Sequence, residues 1–135
     1  MSAMVPFVWA AGGTHLAIAI SNFWVPGILH YRENLEKVSP IVRQVFVVHS
    51  LYMVLVLLGF SALCFFFAPE LTSGAPLGRS LSAFLAVFWL LRVVLQLAYY
   101  DREVRAKYRL GDVAYMLAVT SLAAVFAVVA LGVVK

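Results

Sequence analysis

The stretch FLAVFWLLRVVLQLAYY, residues 84–100, decides the class of fold. It is apolar or aromatic from end to end, with the exceptions of Arg92 and Gln96. An apolar segment of this kind is typical of a helix that crosses a lipid bilayer. A charge inside a bilayer costs roughly 2.5–3.5 kcal/mol on insertion scales, so we interpret Arg92 as a functional residue.

Three further apolar stretches accompany this one, and together they occupy most of the 135 residues. The chain is 64% hydrophobic and 12% charged, with a mean hydropathy of +0.99, which excludes an ordinary soluble domain. We predict an all-α integral membrane four-helix bundle that forms a single domain over residues 1–135. The predicted helices cover 3–29, 41–68, 81–100 and 113–134, the third with a cytoplasmic extension to 110. Short connections favour an up-down-up-down order.

The basic residues predict the orientation. Seven of them flank or occupy the first and third connections: Arg32, Lys37, Arg43, Arg102, Arg105, Lys107 and Arg109. Only Arg79, in the second connection, and Lys135, at the C-terminus, lie outside the stretches on the opposite side of the membrane. Because the more basic side is expected to be cytoplasmic, both termini are predicted on the non-cytoplasmic side. With no Lys or Arg before position 32, the first stretch is expected to be a retained helix.

The expected location is the bacterial inner (cytoplasmic) membrane. The net charge of +4 comes from residues at membrane borders, where topology and anionic lipid account for them. We therefore predict membrane lipid as a partner and no nucleic acid. The single cysteine, Cys64, is expected to be a small buried hydrophobic residue.

Polar residues inside the stretches concentrate in the predicted cytoplasmic half. Residues on one helical face recur at intervals of three or four, and this spacing places several of them together. In the third stretch Trp89, Arg92, Gln96 and Tyr99 form one stripe. His49 and Tyr52 lie one turn apart in the second stretch, and His15 shares a face with Asn22 in the first. The predicted ligand site therefore contains His15, Asn22, His49, Tyr52, Trp89, Arg92, Gln96 and Tyr99.

A membrane redox component is the leading functional hypothesis. A quinone head needs hydrogen-bond donors and an aromatic or apolar slot, which Arg92, Gln96 and Trp89 could provide together with His49 and Tyr52. A haem b would use His15 and His49 as axial ligands, the only metal role that we assign, with Arg92 on a propionate. An arginine without an acidic neighbour also suits a carbonyl or semiquinone oxygen.

Two other functions fit the same residues. Arg92 could hold the phosphate or carboxylate of an anionic lipid or other amphiphile, with the helices flanking its tail. Alternatively, the chain could be a structural or assembly subunit of a larger membrane complex, or a homo-oligomer. No HExxH motif, intramembrane carboxylate pair or Ser-His-Asp set is evident in the chain, so no particular reaction is predicted.

Each site residue also has a structural interpretation. Asn22 and Gln96 could join helices through hydrogen bonds worth about 0.6–2 kcal/mol. Tyr100 and Tyr108 fit an interfacial aromatic belt. Arg92 could extend toward the headgroups or meet Asp112, if the fourth helix begins deep enough.

Overall fold

The computed structural model describes residues 2–100 and 102–133, and its regular structure there is entirely helical. In chain order the helices are α1 Val5–Ser21, α2 Val25–Ile28, α3 Tyr31–Leu35, α4 Pro40–Phe66, α5 Ala68–Thr72, α6 Pro76–Ala98, α7 Arg102–Lys107 and α8 Arg109–Leu131. Within the described residues α4, α6 and α8 are long and apolar enough to cross a membrane, and α1 is a shorter apolar helix. The chain is therefore an all-helical protein of the membrane class.

The first apolar stretch is shorter as a helix than the sequence predicts. α1 ends at Ser21, whereas the prediction continued to residue 29. The Ser21 hydroxyl and the Asn22 amide both donate to the carbonyl of Ile18, at 2.6 and 2.8 Å. Side chains that bind nearby backbone carbonyls offer the chain an alternative to continuing the helix. The chain then turns into α2, which has a proline in its first turn.

Two other helices begin earlier than expected. α6 starts at Pro76, because Ala75 is extended and a proline is favoured at the first helical position. α8 starts at Arg109, and Gly111 lies within its first turn. The expected extension to residue 110 is instead the separate helix α7. Asp101 and residues 134–135, including Lys135, lie outside the described residues.

The long helices pack in a continuous series. α1 lies against both α4 and α8, and α6 packs along α8. At one end of the α6–α8 pair, Arg79 Nε donates to the carbonyl of Ala130 at 3.0 Å. At the other end, the Gln96 amide donates to the Asp112 carboxylate at 2.7 Å. Contacts at both ends in this order make α6 and α8 antiparallel.

Close packing of α1 on α4 depends on Gly12. Ser61 on α4 donates its hydroxyl hydrogen to the Gly12 carbonyl at 2.9 Å. A Cβ atom added to Gly12 would lie 3.0 Å from the Cβ of Cys64, which is tighter than ordinary packing allows. Small residues and one interhelical hydrogen bond are the usual means of joining helices in a membrane.

The two outer helices of the series, α4 and α6, leave a cleft between them. They are not among the helix pairs in close contact, and their side chains meet where the Phe60 ring contacts those of Phe84 and Phe88. The residues of α4 that are buried all belong to its C-terminal half: Leu57, Ser61 and Cys64. We call the space between these two helices the α4–α6 cleft. The N-terminal half of α4 has no buried residue.

Candidate functional site

Arg92 lies between two tyrosine rings near the end of α6. Its guanidinium carbon is 4.7 Å from the centroid of the Tyr100 ring and 5.0 Å from that of Tyr115 on α8. A guanidinium over an aromatic face gains about 0.5–2 kcal/mol, with the larger values for desolvated pairs. The two rings therefore hold the arginine head in place without neutralising its charge.

Tyr31 on α3 completes this group. Burial raises the pKa of Tyr31, the neighbouring Tyr100 raises it further, and the positive charge of Arg92 opposes the rise. The Tyr31 ring also meets the Phe46 ring of α4 edge to face, with 5.4 Å between centroids. We call Arg92, Tyr31, Tyr100 and Tyr115 the Arg92 cage, and it joins the ends of α3, α6 and α8.

One nitrogen of the guanidinium has no acceptor. Arg92 Nη1 is buried and has no hydrogen-bond partner in the described part of the chain. Leaving a buried donor unsatisfied costs about 1–3 kcal/mol, and more when the group is charged. The buried hydroxyl of Ser82, farther along α6, is likewise without a partner, but it carries no charge. Of these two groups, the charged Arg92 is therefore the one that an external hydrogen-bond acceptor would stabilise more.

The carboxylate of Asp112 is already engaged. Arg105 binds both of its oxygens at 3.1 Å, and Gln96 donates to one of them at 2.7 Å. A fork of two parallel hydrogen bonds is the favoured geometry of an arginine–carboxylate pair. Gln96 therefore joins α6 to α8 by binding Asp112, and it is Arg105, not Arg92, that pairs with this acid.

His15 and Trp89 form a buried pair in the centre of the helices. The His15 Nδ1 hydrogen is donated to the Ala11 carbonyl at 2.8 Å, and Nε2 accepts the indole hydrogen of Trp89 at 2.9 Å. Because an indole nitrogen can only donate, the second contact requires a lone pair on Nε2. His15 is accordingly a neutral imidazole with both nitrogens satisfied. The rings of Phe60 and Phe126 pack around it.

The structure does not bring the two predicted haem ligands together. His15 contacts Phe60, which lies eleven positions beyond His49 on α4. At about 1.5 Å per residue, His49 is therefore some 16 Å along the helix axis from the level of His15. His49 is exposed, and its Nδ1 is bonded to the Val45 carbonyl at 2.9 Å.

Three other predicted residues lie apart from the cage. Tyr52 is 64% exposed on α4, and Tyr99 is 81% exposed just beyond the end of α6. Asn22 binds the carbonyl of Ile18 in its own helix. The residues of the predicted stripe on α6 thus have different partners. Trp89 bonds to His15 in the core, Arg92 lies in the cage and Gln96 bonds to Asp112.

Three tyrosines of the cage were not assigned to the site from the sequence. Tyr100 was expected in an interfacial belt, and Tyr31 and Tyr115 had no predicted role. A register argument could have found Tyr115. In an antiparallel pair with Gln96 opposite Asp112, the residue one turn earlier on α6 faces the residue one turn later on α8. That register sets Arg92 opposite Tyr115.

Comparisons with protein-family models, with curated proteins and with solved structures found no match. The geometry of the described residues is therefore the basis for a functional hypothesis.

Proposed function

We propose that the Arg92 cage binds the anionic head of a membrane amphiphile, a phosphate or carboxylate that carries at least one hydrocarbon chain. The observation that carries this proposal is the buried Arg92 Nη1 without a hydrogen-bond partner. A guanidinium presents its donors in a planar fork that matches these anions. An anion would neutralise the charge and supply the missing acceptor in one step.

The proposed setting is a four-helix membrane domain with α1, α4, α6 and α8 crossing up-down-up-down in a bacterial cytoplasmic membrane. Both termini lie on the non-cytoplasmic side, and the basic residues of the first and third connections lie in the cytoplasm. α1 has 17 residues, which is at the short limit for a spanning helix.

The depth of the cage suits a headgroup. Arg92 is six positions before the end of α6 at Ala98, or about 9 Å of helix rise. Its head reaches the ring of Tyr100, which lies beyond that end. The charge therefore lies near the level at which lipid phosphates meet the hydrocarbon.

The α4–α6 cleft supplies a place for the chain of the amphiphile. Its walls are membrane-spanning candidates, and the side chains of α4 along its N-terminal half are exposed and mostly apolar. The cleft narrows where Phe60 meets Phe84 and Phe88. A chain extending inward from the cage would cover exposed apolar surface on both helices, each methylene contributing about 0.8 kcal/mol when buried.

A quinone is the second candidate. The specific observation in its favour is that a buried N–H donor of Arg92 lies between two tyrosine rings. This donor could bind a carbonyl oxygen of the quinone. The other donors expected for a quinone are engaged elsewhere, because Trp89 bonds to His15 and Gln96 bonds to Asp112. An anionic head needs only the arginine and is therefore the better match.

The test is native mass spectrometry of the purified full chain with phosphatidylglycerol. Wild-type protein, Arg92→Lys, Arg92→Gln and the control Arg109→Gln are compared at equal lipid concentration. Arg109 is exposed, so its variant makes the same change in net charge away from the cage. Because a charge-assisted hydrogen bond contributes about 1.5–3 kcal/mol, Arg92→Gln should lower lipid occupancy about ten- to one-hundredfold.

Arg92→Lys should give an intermediate loss, because the charge stays and the planar fork is lost. Arg109→Gln should change occupancy less than about twofold, in line with the small contribution of an exposed charge. Equal occupancy in wild type and Arg92→Gln would overturn the proposal. Solvent extraction of the same samples distinguishes the second candidate, since a quinone that is lost with Arg92→Gln would replace the anionic lipid as the ligand.

A further inference from the structure

A cavity, which we call the outer cavity, lies at the end of the α4–α6 cleft opposite the Arg92 cage. It has a volume of 660 Å³, within the range of about 300–1,000 Å³ that is common for ligand sites. Leu63 and Phe67 form its wall on the α4 side, and Leu77 and Leu81 form its wall on the α6 side. Leu81 is eleven positions from Arg92 on α6, or about 16 Å, so the two sites are separate.

The short helix α5 closes the outer end of this cavity. Leu71 of α5 is both a buried core residue and part of the lining. A Cβ atom at Gly78 of α6 would lie 2.5 Å from the carbonyl oxygen of Glu70, so the backbone of α5 rests directly on α6 at this glycine. One turn inward, Phe60 meets Phe84 and narrows the cleft. α5 therefore lines one end of the cavity, and the Phe60–Phe84 contact lies one turn beyond the other end of its lining.

The chemistry of the cavity is divided between its walls and its rim. The four wall residues are apolar, while Glu70 and Ser73 line it from α5 and the turn that follows. The Ser73 hydroxyl bonds to the Glu70 carbonyl at 2.8 Å, and the Glu70 residue is exposed. A hydrocarbon chain therefore suits the walls, and a cationic group suits the exposed carboxylate at the rim.

From this division we infer that the cavity is a binding site for one acyl chain of an ammonium-bearing phospholipid, with its headgroup beside Glu70. The two walls belong to helices that are candidates for membrane spans, so the open side of the cavity faces lipid chains. Phe67 and Leu77 of the lining are 51% and 72% exposed, so the apolar lining is partly open at these two side chains. A chain lodged there covers apolar surface that the protein itself leaves open.

The site differs in chemistry from the Arg92 cage. The cage presents a cation to an anionic head, whereas the rim of the outer cavity presents a carboxylate to an ammonium group. Loss of one ligand should therefore leave the other in place. The inference stands apart from the proposed function and has its own readout.

The experiment uses phosphatidylethanolamine with a photoactivatable diazirine in its acyl chain, incorporated with the full chain into nanodiscs. After irradiation, mass spectrometry locates the labelled residues. We expect labelling to concentrate in 63–81 and to be competed by unlabelled phosphatidylethanolamine more effectively than by phosphatidylglycerol. Labelling spread evenly over exposed positions such as Leu55 and Leu90 would overturn the inference, because it would describe ordinary lipid contact.

Two variants sharpen the result. Leu81→Trp should fill the cavity and reduce labelling of 63–81 at least about fivefold, while Leu90→Trp on an exposed part of α6 should leave it unchanged. Glu70→Gln keeps the cavity and should remove the preference for phosphatidylethanolamine in the competition. Thus, if Leu81→Trp fails to fold, Glu70→Gln still decides the headgroup. Arg92→Gln should not alter the labelling, and unchanged labelling in Leu81→Trp would contradict the site.

Discussion

A guanidinium over aromatic rings gains cation–π attraction, while its N–H groups still need hydrogen-bond acceptors. Arg92 has the first of these interactions with Tyr100 and Tyr115 and lacks an acceptor at Nη1. This combination separates Arg92 from Arg105, whose fork is filled by Asp112. At the residue scale, the site is therefore defined by an unmet hydrogen-bond donor in a fixed position.

We expect the face of the Tyr100 ring, and not its hydroxyl group, to contribute to lipid binding. Tyr100→Phe keeps that face, so phosphatidylglycerol occupancy in native mass spectra should change less than about twofold. Tyr100→Leu removes a cation–π interaction of about 0.5–1 kcal/mol, which corresponds to a loss of about two- to fivefold. Tyr99→Leu at the exposed neighbouring position is the control and should have no effect. Equal losses in the Phe and Leu variants would assign the effect to the hydroxyl.

The hydrogen bond from Trp89 to His15 should stabilise the fold. Trp89→Phe leaves Nε2 of a fully buried histidine without a donor, which should lower the free energy of unfolding by about 1–3 kcal/mol. Thermal unfolding in detergent, followed by circular dichroism, measures this. Trp9→Phe, at an exposed position of α1, should lower stability far less. A Trp89→Phe variant as stable as wild type would show that the bond contributes little.

At the element scale, two pairs of neighbouring long helices are joined by different contacts. α1 and α4 meet through Gly12 and Ser61, whereas α6 and α8 are joined at their ends by Arg79 and by the Gln96–Asp112 bond. α4 and α6 are not in close contact apart from the Phe60 ring, which meets the rings of Phe84 and Phe88, and the cleft lies between these two helices. The open side of the helix series is thus where ligands are proposed to bind.

Gly12 and its neighbour offer a matched test of the α1–α4 contact. A Cβ atom at Gly12 would press on Cys64 and on the Phe65 ring, while one at Gly13 would meet nothing within 4 Å. We expect Gly12→Ala to destabilise the protein by about 1–3 kcal/mol through overpacking. Gly13→Ala should be neutral or stabilising by up to about 1 kcal/mol, because alanine is the better helix former. The opposite order in thermal unfolding would contradict the packing.

The sequence predicts the elements of this fold better than it predicts their ends. Apolar length alone identifies α4, α6 and α8, because a spanning helix needs a long apolar run whatever its partners. The end of α1 depends on Ser21 and Asn22 binding the Ile18 carbonyl, and the start of α6 depends on a proline at its first turn. These hydrogen bonds and the proline determine where a helix ends or begins, and a hydropathy profile does not reveal them.

The candidate site was predictable only in part, for a related reason. Arg92 is evident because a charge in an apolar run is rare. Its partners are set by which helices are neighbours and in what register. Tyr115 could not be assigned without the register that sets Gln96 opposite Asp112, and Tyr31 could not be assigned without the position of α3. His15 and Trp89 were assigned to a ligand site although they bind each other. Sequence spacing identifies a shared face, but it does not show whether another side chain already occupies it.

On the scale of the whole molecule, the two proposed lipid sites have opposite charge preferences and lie at opposite ends of one cleft. The Arg92 cage lies at the end with most of the basic residues, and the outer cavity lies beneath α5 at the other end. In the proposed orientation, the first site faces the cytoplasmic leaflet and the second faces the outer leaflet. The assignment of each site to a leaflet therefore depends on this orientation.

Cysteine labelling tests that orientation in intact cells. Ser73→Cys, in the α5–α6 connection, should react with a membrane-impermeant maleimide added outside. Asn34→Cys, in α3, should react only after the inner membrane is permeabilised. The wild-type chain is the control, because its Cys64 is buried and should stay unlabelled. The reverse pattern would invert the assignment of both sites to their leaflets.

NMR spectroscopy observes the Arg92 guanidinium itself and so tests most directly whether this group binds an anionic headgroup. In ¹⁵N-labelled protein in zwitterionic micelles, the side-chain N–H resonances of Arg92 are assigned by their absence in Arg92→Lys and followed as phosphatidylglycerol is added. We predict a downfield proton shift that saturates, because a bound anion fills the open donor with a charge-assisted hydrogen bond. Arg92 resonances that stay unchanged, while those of exposed Arg109 drift with the added lipid, would contradict the account.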